Sequence, residues 1–253
     1  MKYKLFNAIA ERVYPAQLYC HSCGKIIDWS RPYGLCDSCM KNTRWASGRL
    51  CDKCGKLLSV NNPDATCYNC KATAHIFSRG YTCSEYDAYN RAMIYALKYD
   101  NKPAVARTIG EIMADRMLQE YSTNELSARY DLLVPVPISR DRLYTRGYNQ
   151  AALIAEYFAE RTCLAYNGEI LRRIKDTDKM KGLTPAERRR NIRGSFGIIP
   201  GREKLVKGAN CLVIDDIQTT GATADEVASV LLENGAKNVE FLSFASGADV
   251  IKS

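Results

Sequence analysis

The chain has 253 residues, of which 46% are hydrophobic, and a formal net charge of +8. This length accommodates one substantial α/β domain and a small module. No apolar run approaches the ~20 residues of a membrane span, and no long apolar stretch follows Met1, so we expect a cytoplasmic protein without membrane insertion.

Cysteines dominate the first third of the chain. Eight of the 11 cysteines form four C-x2-C pairs, namely Cys20 and Cys23, Cys36 and Cys39, Cys51 and Cys54, and Cys67 and Cys70. Twelve residues separate the pairs of each half, and the pattern repeats after 31 residues, which indicates a duplicated zinc ribbon. Two such pairs complete a tetrahedral four-thiolate site, so we expect two structural zinc ions. A disulfide framework is the alternative, which the even spacing and the start of the chain disfavour.

The cysteine pattern also suggests how the chain is divided. We assign residues 1–75 to an N-terminal segment with the double zinc ribbon, and residues 76–253 to a second domain. Consecutive pairs would make each repeat a complete site, although a crossed pairing stays open. We expect a Cys51→Ser change to unfold the second ribbon and to leave the larger domain folded. His21 and His75 lie near the ligands, but eight thiolates already fill two sites.

Strands and helices alternate in the larger domain. The expected elements are an extended segment at 76–86, helices at 89–99 and 105–120, a strand at 131–136, a helix at 149–160, a strand at 168–173, a helix at 185–192, a strand at 211–214, a helix at 222–232 and a strand at 238–244. This order predicts an α/β fold with a mostly parallel sheet flanked by helices. Ligands of such sheets bind at the carboxyl ends of the strands.

Residues 211–223 suggest a sugar-phosphate site. The apolar run before Asp215 and Asp216 is followed by a loop and then by a helix. The loop residues are Thr219, Thr220, Gly221, Ala222 and Thr223. Their N–H groups at a helix N-terminus would face a phosphate, and the carboxylates would accept hydrogen bonds from ribose hydroxyls. The acidic pair of a P-loop NTPase is excluded because the chain has no G-x-x-x-x-G-K-[ST], whereas a capped surface helix remains the simpler alternative.

This segment resembles the phosphoribosyl pyrophosphate (PRPP) binding motif of type I phosphoribosyltransferases. A second stretch, Val134-Pro135-Val136-Pro137 with Arg142 and residues 146–150 (RGYNQ), is similar to the ComF family of competence-associated proteins. The resemblance extends from Pro15 to about Ser246 and implies a type I phosphoribosyltransferase-like fold behind a double zinc ribbon. It further implies that Arg142 and Arg146 anchor the pyrophosphate of PRPP and that Mg²⁺ accompanies it.

The same resemblance suggests the function. It favours transfer of 5-phosphoribosyl from PRPP to an unidentified acceptor, in association with DNA uptake, over a non-catalytic module that binds PRPP and nucleic acid. Residues 174–193 correspond to a loop that closes over PRPP. One departure weakens the case for catalysis: Thr177 is followed by Met180, where the family pattern has glutamine, and then by Leu183.

Charge suggests further partners. Residues 139–193 contain 13 basic and 7 acidic side chains, including Arg188, Arg189 and Arg190. Such a segment would bind single-stranded DNA with a strong dependence on salt, and Tyr144 could stack on bases. The family association adds a competence helicase or recombination proteins as candidate partners. A solvated helix face explains the three arginines equally well.

Overall fold

The computed structural model describes residues 18–28, 30–175 and 184–250. The helices of four or more residues in this part are α1 (Asp37–Asn42), α2 (Tyr68–Ala72), α3 (Ala88–Tyr99), α4 (Val105–Leu118), α5 (Thr123–Arg129), α6 (Arg140–Arg146), α7 (Gln150–Thr162), α8 (Pro185–Ile192), α9 (Glu203–Val206) and α10 (Ala222–Glu233). The strands are β1 (Gly80–Glu85), β2 (Leu132–Pro135), β3 (Leu171–Arg173), β4 (Phe196–Ile198), β5 (Asn210–Gln218) and β6 (Asn238–Ser246).

A four-stranded sheet organises the larger domain. Its order is β1-β6-β5-β2, and every pairing in it is parallel. Strands β3 and β4 form a separate antiparallel pair. The prediction of a mostly parallel sheet flanked by helices is therefore confirmed, while α5, α6, α9 and β4 of the larger domain were not predicted.

The two faces of the sheet lie in two different hydrophobic clusters. Leu212 and Ile214 of β5 pack in one cluster with residues of α3, α4 and α7, and Cys211 and Val213 pack in the other with residues of α10. This alternation follows from the period of two along a strand that is covered on both faces. Helices on both faces leave the carboxyl ends of the strands as the edge where a ligand can enter.

The two ribbons belong to opposite faces of the sheet. Cys20 and Cys39 of the first ribbon lie in the cluster of α4, whereas Cys51 and Cys67 of the second lie in the cluster of α10. Each ribbon is thus continuous with one hydrophobic cluster of the larger domain. The boundary at residues 75 and 76 stays a prediction.

Within the described residues, no helix is both long and apolar enough to cross a membrane.

Candidate ligand site and metal centres

The acidic pair lies within strand β5. The prediction that the strand ends at Ile214 was wrong, because the pairing with β6 continues as far as Gln218 opposite Ser246. Asp215 is 8% exposed and Asp216 is 2% exposed. Both carboxylates are therefore held on rigid backbone near the carboxyl end of the strand.

The partly buried Lys98 supplies a positive charge to this acidic pair. Lys98 near the end of α3 places its Nζ 2.5 Å from Oδ2 of Asp216. Burial raises the pKa of Asp216, but the Lys98 ammonium and hydrogen bonding outweigh it and hold that pKa below its usual value. Burial and the neighbouring Asp216 raise the pKa of Asp215 well above its usual range. Lys98 thus favours the charged form of Asp216, whereas burial and the neighbouring Asp216 disfavour the charged form of Asp215.

Residues Thr219–Thr223, the threonine loop, comprise the turn 219–221 between β5 and α10 and the first two residues of α10. Gly221 is the N-cap of α10 and has a φ of 77°, the left-handed region that glycine adopts without strain. No side chain of the described residues caps this helix end. By contrast, Asp87, Ser122 and Thr184 cap their helices through side-chain hydrogen bonds. The N-terminal N–H groups of α10 are therefore left to a ligand or to water.

The two candidate pyrophosphate arginines lie on a helix. The sequence indicated no helix between residues 136 and 149, but Arg142 and Arg146 belong to α6, which Ser139 caps by accepting a hydrogen bond from the N–H of Arg142. Arg142 is exposed, whereas Arg146 is half-buried and lies over the ring of Tyr99 at 5.9 Å. One Arg146 guanidinium nitrogen donates to Gln150.

One cavity of about 730 Å³ unites these elements. It is lined by both acidic residues of β5, by the whole threonine loop and by both arginines of α6; in full, the predicted residues are Asp215, Asp216, Thr219, Thr220, Gly221, Ala222, Thr223, Arg142 and Arg146. We call it the central cavity. Its volume is in the range of ordinary small-molecule sites.

Several cavity residues were not predicted from the sequence. Lys98, Gln218 and Arg173 line the central cavity, and so does Arg188, which the sequence offered as a DNA contact. Arg188 on α8 donates from Nη1 to Oγ1 of Thr219 at 3.0 Å. A buried Nε of Arg146 and a buried Oε1 of Gln218 have no hydrogen-bond partner in the described part of the chain. Because buried polar atoms are normally paired, these two favour a polar ligand in the cavity.

Eight cysteines form two compact clusters. One contains Cys20, Cys23, Cys36 and Cys39, and the other Cys51, Cys54, Cys67 and Cys70. The pairing is thus consecutive, as predicted, and the crossed arrangement is not found. The sulfurs of Cys23 and Cys36 are 3.7 Å apart, as are those of Cys54 and Cys67. Zinc–sulfur bonds of 2.3 Å in a tetrahedron require about 3.8 Å between sulfurs, so both clusters fit zinc.

Part of the expected closing loop lies outside the described residues. Thr177, Met180 and Leu183 belong to that part. The helix expected at 185–192 is confirmed as α8. Its residue Arg189 donates to Oγ1 of Thr73, beside the second ribbon, at 3.1 Å.

Comparisons with known proteins agree with this architecture. The family described as Double zinc ribbon domain matches residues 9–84. The chain is 27% identical over 157 residues to DNA utilization protein YhgH of Salmonella typhimurium, covering 62% of this chain and 67% of that protein. It is 26% identical over 153 residues to Competence protein F of Haemophilus influenzae, covering 60% and 66%. It is 32% identical over 110 residues to Competence protein ComFC of Bacillus subtilis, covering 42% and 40%.

A solved structure is also similar. A hypoxanthine phosphoribosyltransferase of Staphylococcus aureus is 14% identical, with a TM-score of 0.32 over 60% of this chain and 77% of that one. The ribbon match covers both cysteine clusters. The chain therefore joins a double zinc ribbon to an α/β domain with a parallel sheet, and part of it is similar to proteins named for competence and DNA utilization.

Proposed function

We propose that the chain binds PRPP with Mg²⁺ in the central cavity and transfers its 5-phosphoribosyl group to an acceptor, with loss of pyrophosphate. The observation that carries this proposal is the convergence of a buried acidic pair, an uncapped helix N-terminus and two arginines on one cavity. Each of these groups suits a different part of PRPP.

The charges of the cavity residues indicate which structural element would hold each part of PRPP. The 5′-phosphate belongs at the threonine loop, where N–H groups and the helix dipole favour an anion. The ribose hydroxyls belong at Asp215 and Asp216, whose oxygens accept hydrogen bonds. The pyrophosphate belongs at Arg142 and Arg146, since guanidinium groups bind phosphate oxygens through paired hydrogen bonds. The unpartnered Nε of Arg146 would then gain an acceptor.

The residues also fit a magnesium ion. Mg²⁺ is usually held by one or two carboxylates together with substrate phosphates. Lys98 already pairs with Asp216, so Asp215 and the oxygens of the ligand would supply most of the contacts. When bound, the ion would neutralise charge that develops on the departing pyrophosphate.

In the transfer step, an acceptor nucleophile forms a bond to C1 of the ribose while the C1–O bond breaks and its electrons leave with pyrophosphate. The chain's residues orient the ribose, hold the leaving group and keep water from the developing cation. Arg188 of α8 reaches Thr219, so α8 forms one wall of the cavity. The acceptor stays unassigned.

We test this proposal by calorimetry with PRPP and Mg²⁺. Asp215→Asn should weaken binding about 10-fold, because a charge-assisted hydrogen bond contributes roughly 1.5–3 kcal/mol. Asp37→Asn, an exposed acid of the first ribbon, is the matched control. Absence of PRPP binding by the wild type contradicts the site assignment. Binding without pyrophosphate release across a broad panel of acceptors favours the non-catalytic alternative.

A second role concerns single-stranded DNA. Relatives of this chain are named for competence and DNA utilization, and we propose a role in DNA uptake or use that includes work with a competence helicase or recombination proteins. Helix α6 supports DNA contact, because Tyr144 is 94% exposed and follows the exposed Arg140 and Arg142 on the same helix. Tyr148, in contrast, donates its hydroxyl to the carbonyl of Leu97 at 2.7 Å and serves packing.

Fluorescence anisotropy with a labelled oligonucleotide tests this role. Each phosphate contact should contribute about −0.7 to the log–log salt slope. Tyr144→Ala should weaken binding by about 5- to 150-fold, because stacking on one base contributes roughly 1–3 kcal/mol. Tyr144→Phe keeps the ring and should bind as the wild type does. Affinity that is independent of salt would exclude this mode of binding.

A further inference from the structure

The back of the threonine loop is held by the second ribbon. Nδ2 of Asn69, on α2 of that ribbon, donates to the carbonyl of Thr220 at 3.2 Å. The buried Lys56 places Nζ 3.5 Å from the carbonyl of Thr219. Two consecutive carbonyls of the loop therefore face the ribbon.

Because the peptide unit is planar, the contacts to the two carbonyls also fix the direction of two N–H groups in the threonine loop. A trans peptide is planar, with its C=O and N–H pointing in opposite directions. If the carbonyls of Thr219 and Thr220 point at the ribbon, the N–H groups of Thr220 and Gly221, which belong to the same two peptide units, point away from it. A donor on a carbonyl also polarises the N–H of the same unit. The ribbon contacts thus prepare both N–H groups for an anion.

His75 completes the support. Its Nδ1 lies 2.8 Å from Oδ2 of Asp225 in the first turn of α10, and its Nε2 lies 3.2 Å from Nδ2 of Asn69. A carboxylate can only accept, so Nδ1 donates and Nε2 accepts from Asn69. The other oxygen of Asp225 accepts from the N–H of Ile76 at 2.8 Å. In this arrangement Asn69 uses one amide hydrogen for His75 and the other for Thr220.

The fit around His75 is tight. Its side chain is fully buried and its ring stacks on Phe77 with centroids 4.8 Å apart. A Cβ at Gly221 would lie 2.6 Å from Cε1 and 2.9 Å from Nδ1 of His75. Residue 221 is therefore glycine for two reasons, a positive φ and the approach of this ring.

The duplicated ribbons provide an internal comparison. A shift of 31 residues relates Asn69 to Ser38 and Lys56 to Lys25. Ser38 and Lys25 are exposed, and the first ribbon packs instead on α4, where Oη of Tyr33 donates to Asp115 at 2.8 Å. The contacts to the threonine loop that Asn69 and Lys56 make are thus absent at their counterparts in the described first ribbon.

We propose that Asn69, His75 and Lys56 are positioning residues by which the second ribbon aims the N–H groups of the threonine loop at the 5′-phosphate of the ligand. The inference rests on the proposed function and gives the second ribbon a part in ligand binding. Asn69 lies on α2 between Cys67 and Cys70, two members of the second cysteine cluster. That cluster therefore holds the helix that carries Asn69 in place.

Binding of two different ligands can distinguish positioning of the threonine loop from a general effect of the substitutions on folding. Ribose 5-phosphate probes the threonine loop, and pyrophosphate with Mg²⁺ probes the α6 side of the cavity. For the full-length zinc-loaded protein, calorimetry should show that Asn69→Ala and His75→Ala bind ribose 5-phosphate about 10-fold more weakly. Their affinity for Mg²⁺-pyrophosphate should stay within about twofold of wild type, since the α6 contacts are untouched. His75→Asn, whose amide can still donate to Asp225, should recover part of the loss.

The controls use the counterpart positions. Ser38→Ala and Lys25→Ala should bind both ligands as the wild type does, while Lys56→Ala should lose affinity for ribose 5-phosphate. The inference is overturned if Asn69→Ala and His75→Ala keep wild-type affinity for ribose 5-phosphate, or if both ligands weaken equally. Those outcomes leave the proposed function standing. A wild-type protein that binds neither ligand overturns both.

Discussion

Removing the ammonium of Lys98 should strongly destabilise the fold. Lys98→Met keeps an aliphatic side chain of similar length but leaves Asp216 without its cation. Asp216 is 2% exposed, so its carboxylate cannot recover solvation from water. Breaking a buried ion pair from one side costs about 3–5 kcal/mol. For a chain of this size, that corresponds to a fall in melting temperature of roughly 6–20 °C.

The pH dependence follows from the pKa directions. The pKa of Asp216 is lowered, so its contribution is present above its unfolded pKa of about 4 and is lost as the pH falls through the folded value. The pKa of Lys98 is raised by Asp216 and Asp215 against the effect of burial, so its contribution is present below about pH 10 and is lost above the folded value. In Lys98→Met, burial raises the pKa of Asp216, and the deficit should shrink on acidification.

Urea unfolding monitored by circular dichroism at several pH values measures this effect. Lys102→Met is the matched control, because Lys102 is exposed and the same change should alter the free energy of unfolding by less than about 0.5 kcal/mol. The double variant Lys98→Met with Asp216→Asn removes both charges and should recover much of the loss. Lys98→Met with wild-type stability at neutral pH would refute the buried-pair interpretation.

Three further outcomes are expected. Elemental analysis should find two zinc ions per chain, and zero or one in fresh protein would contradict the two-cluster assignment. The sequence predicts that Cys51→Ser leaves the larger domain folded, but Cys51 packs in the same hydrophobic cluster as Val213 of β5, so we now expect this change to destabilise the larger domain as well as the ribbon; a larger domain that keeps its wild-type unfolding transition would contradict this. Binding of PRPP with Mg²⁺ should release a proton from Asp215, whose pKa is raised, and should therefore tighten as the pH rises. Calorimetry in two buffers of different ionisation enthalpy detects that proton, which Asp215→Asn should abolish.

Local sequence patterns predicted the features that depend on residues close together in the chain, namely the cysteine clusters, the threonine loop and the buried strands. The spacing of the cysteines predicted both clusters, since two thiolates separated by two residues lie on one turn. The hydroxyl-rich loop between a strand and a helix placed Gly221 and its neighbours at a helix N-terminus. Apolar runs predicted the buried strands, because a strand covered on both faces shows a nearly continuous apolar sequence.

The tertiary structure decided what these parts contact. Lys98 and Asp216 are 118 positions apart, and no local pattern in a helix indicates which distant charge a lysine will meet. The same holds for His75, which is adjacent to the last cysteine pair in sequence yet contacts Asp225 and the threonine loop. Even the length of β5 depended on β6, because hydrogen bonds to a neighbouring strand extend it beyond the apolar residues. The hydrophobic periodicity of a sequence indicates which side of a helix or strand is buried. The residues that pack against that side are determined only by the tertiary structure.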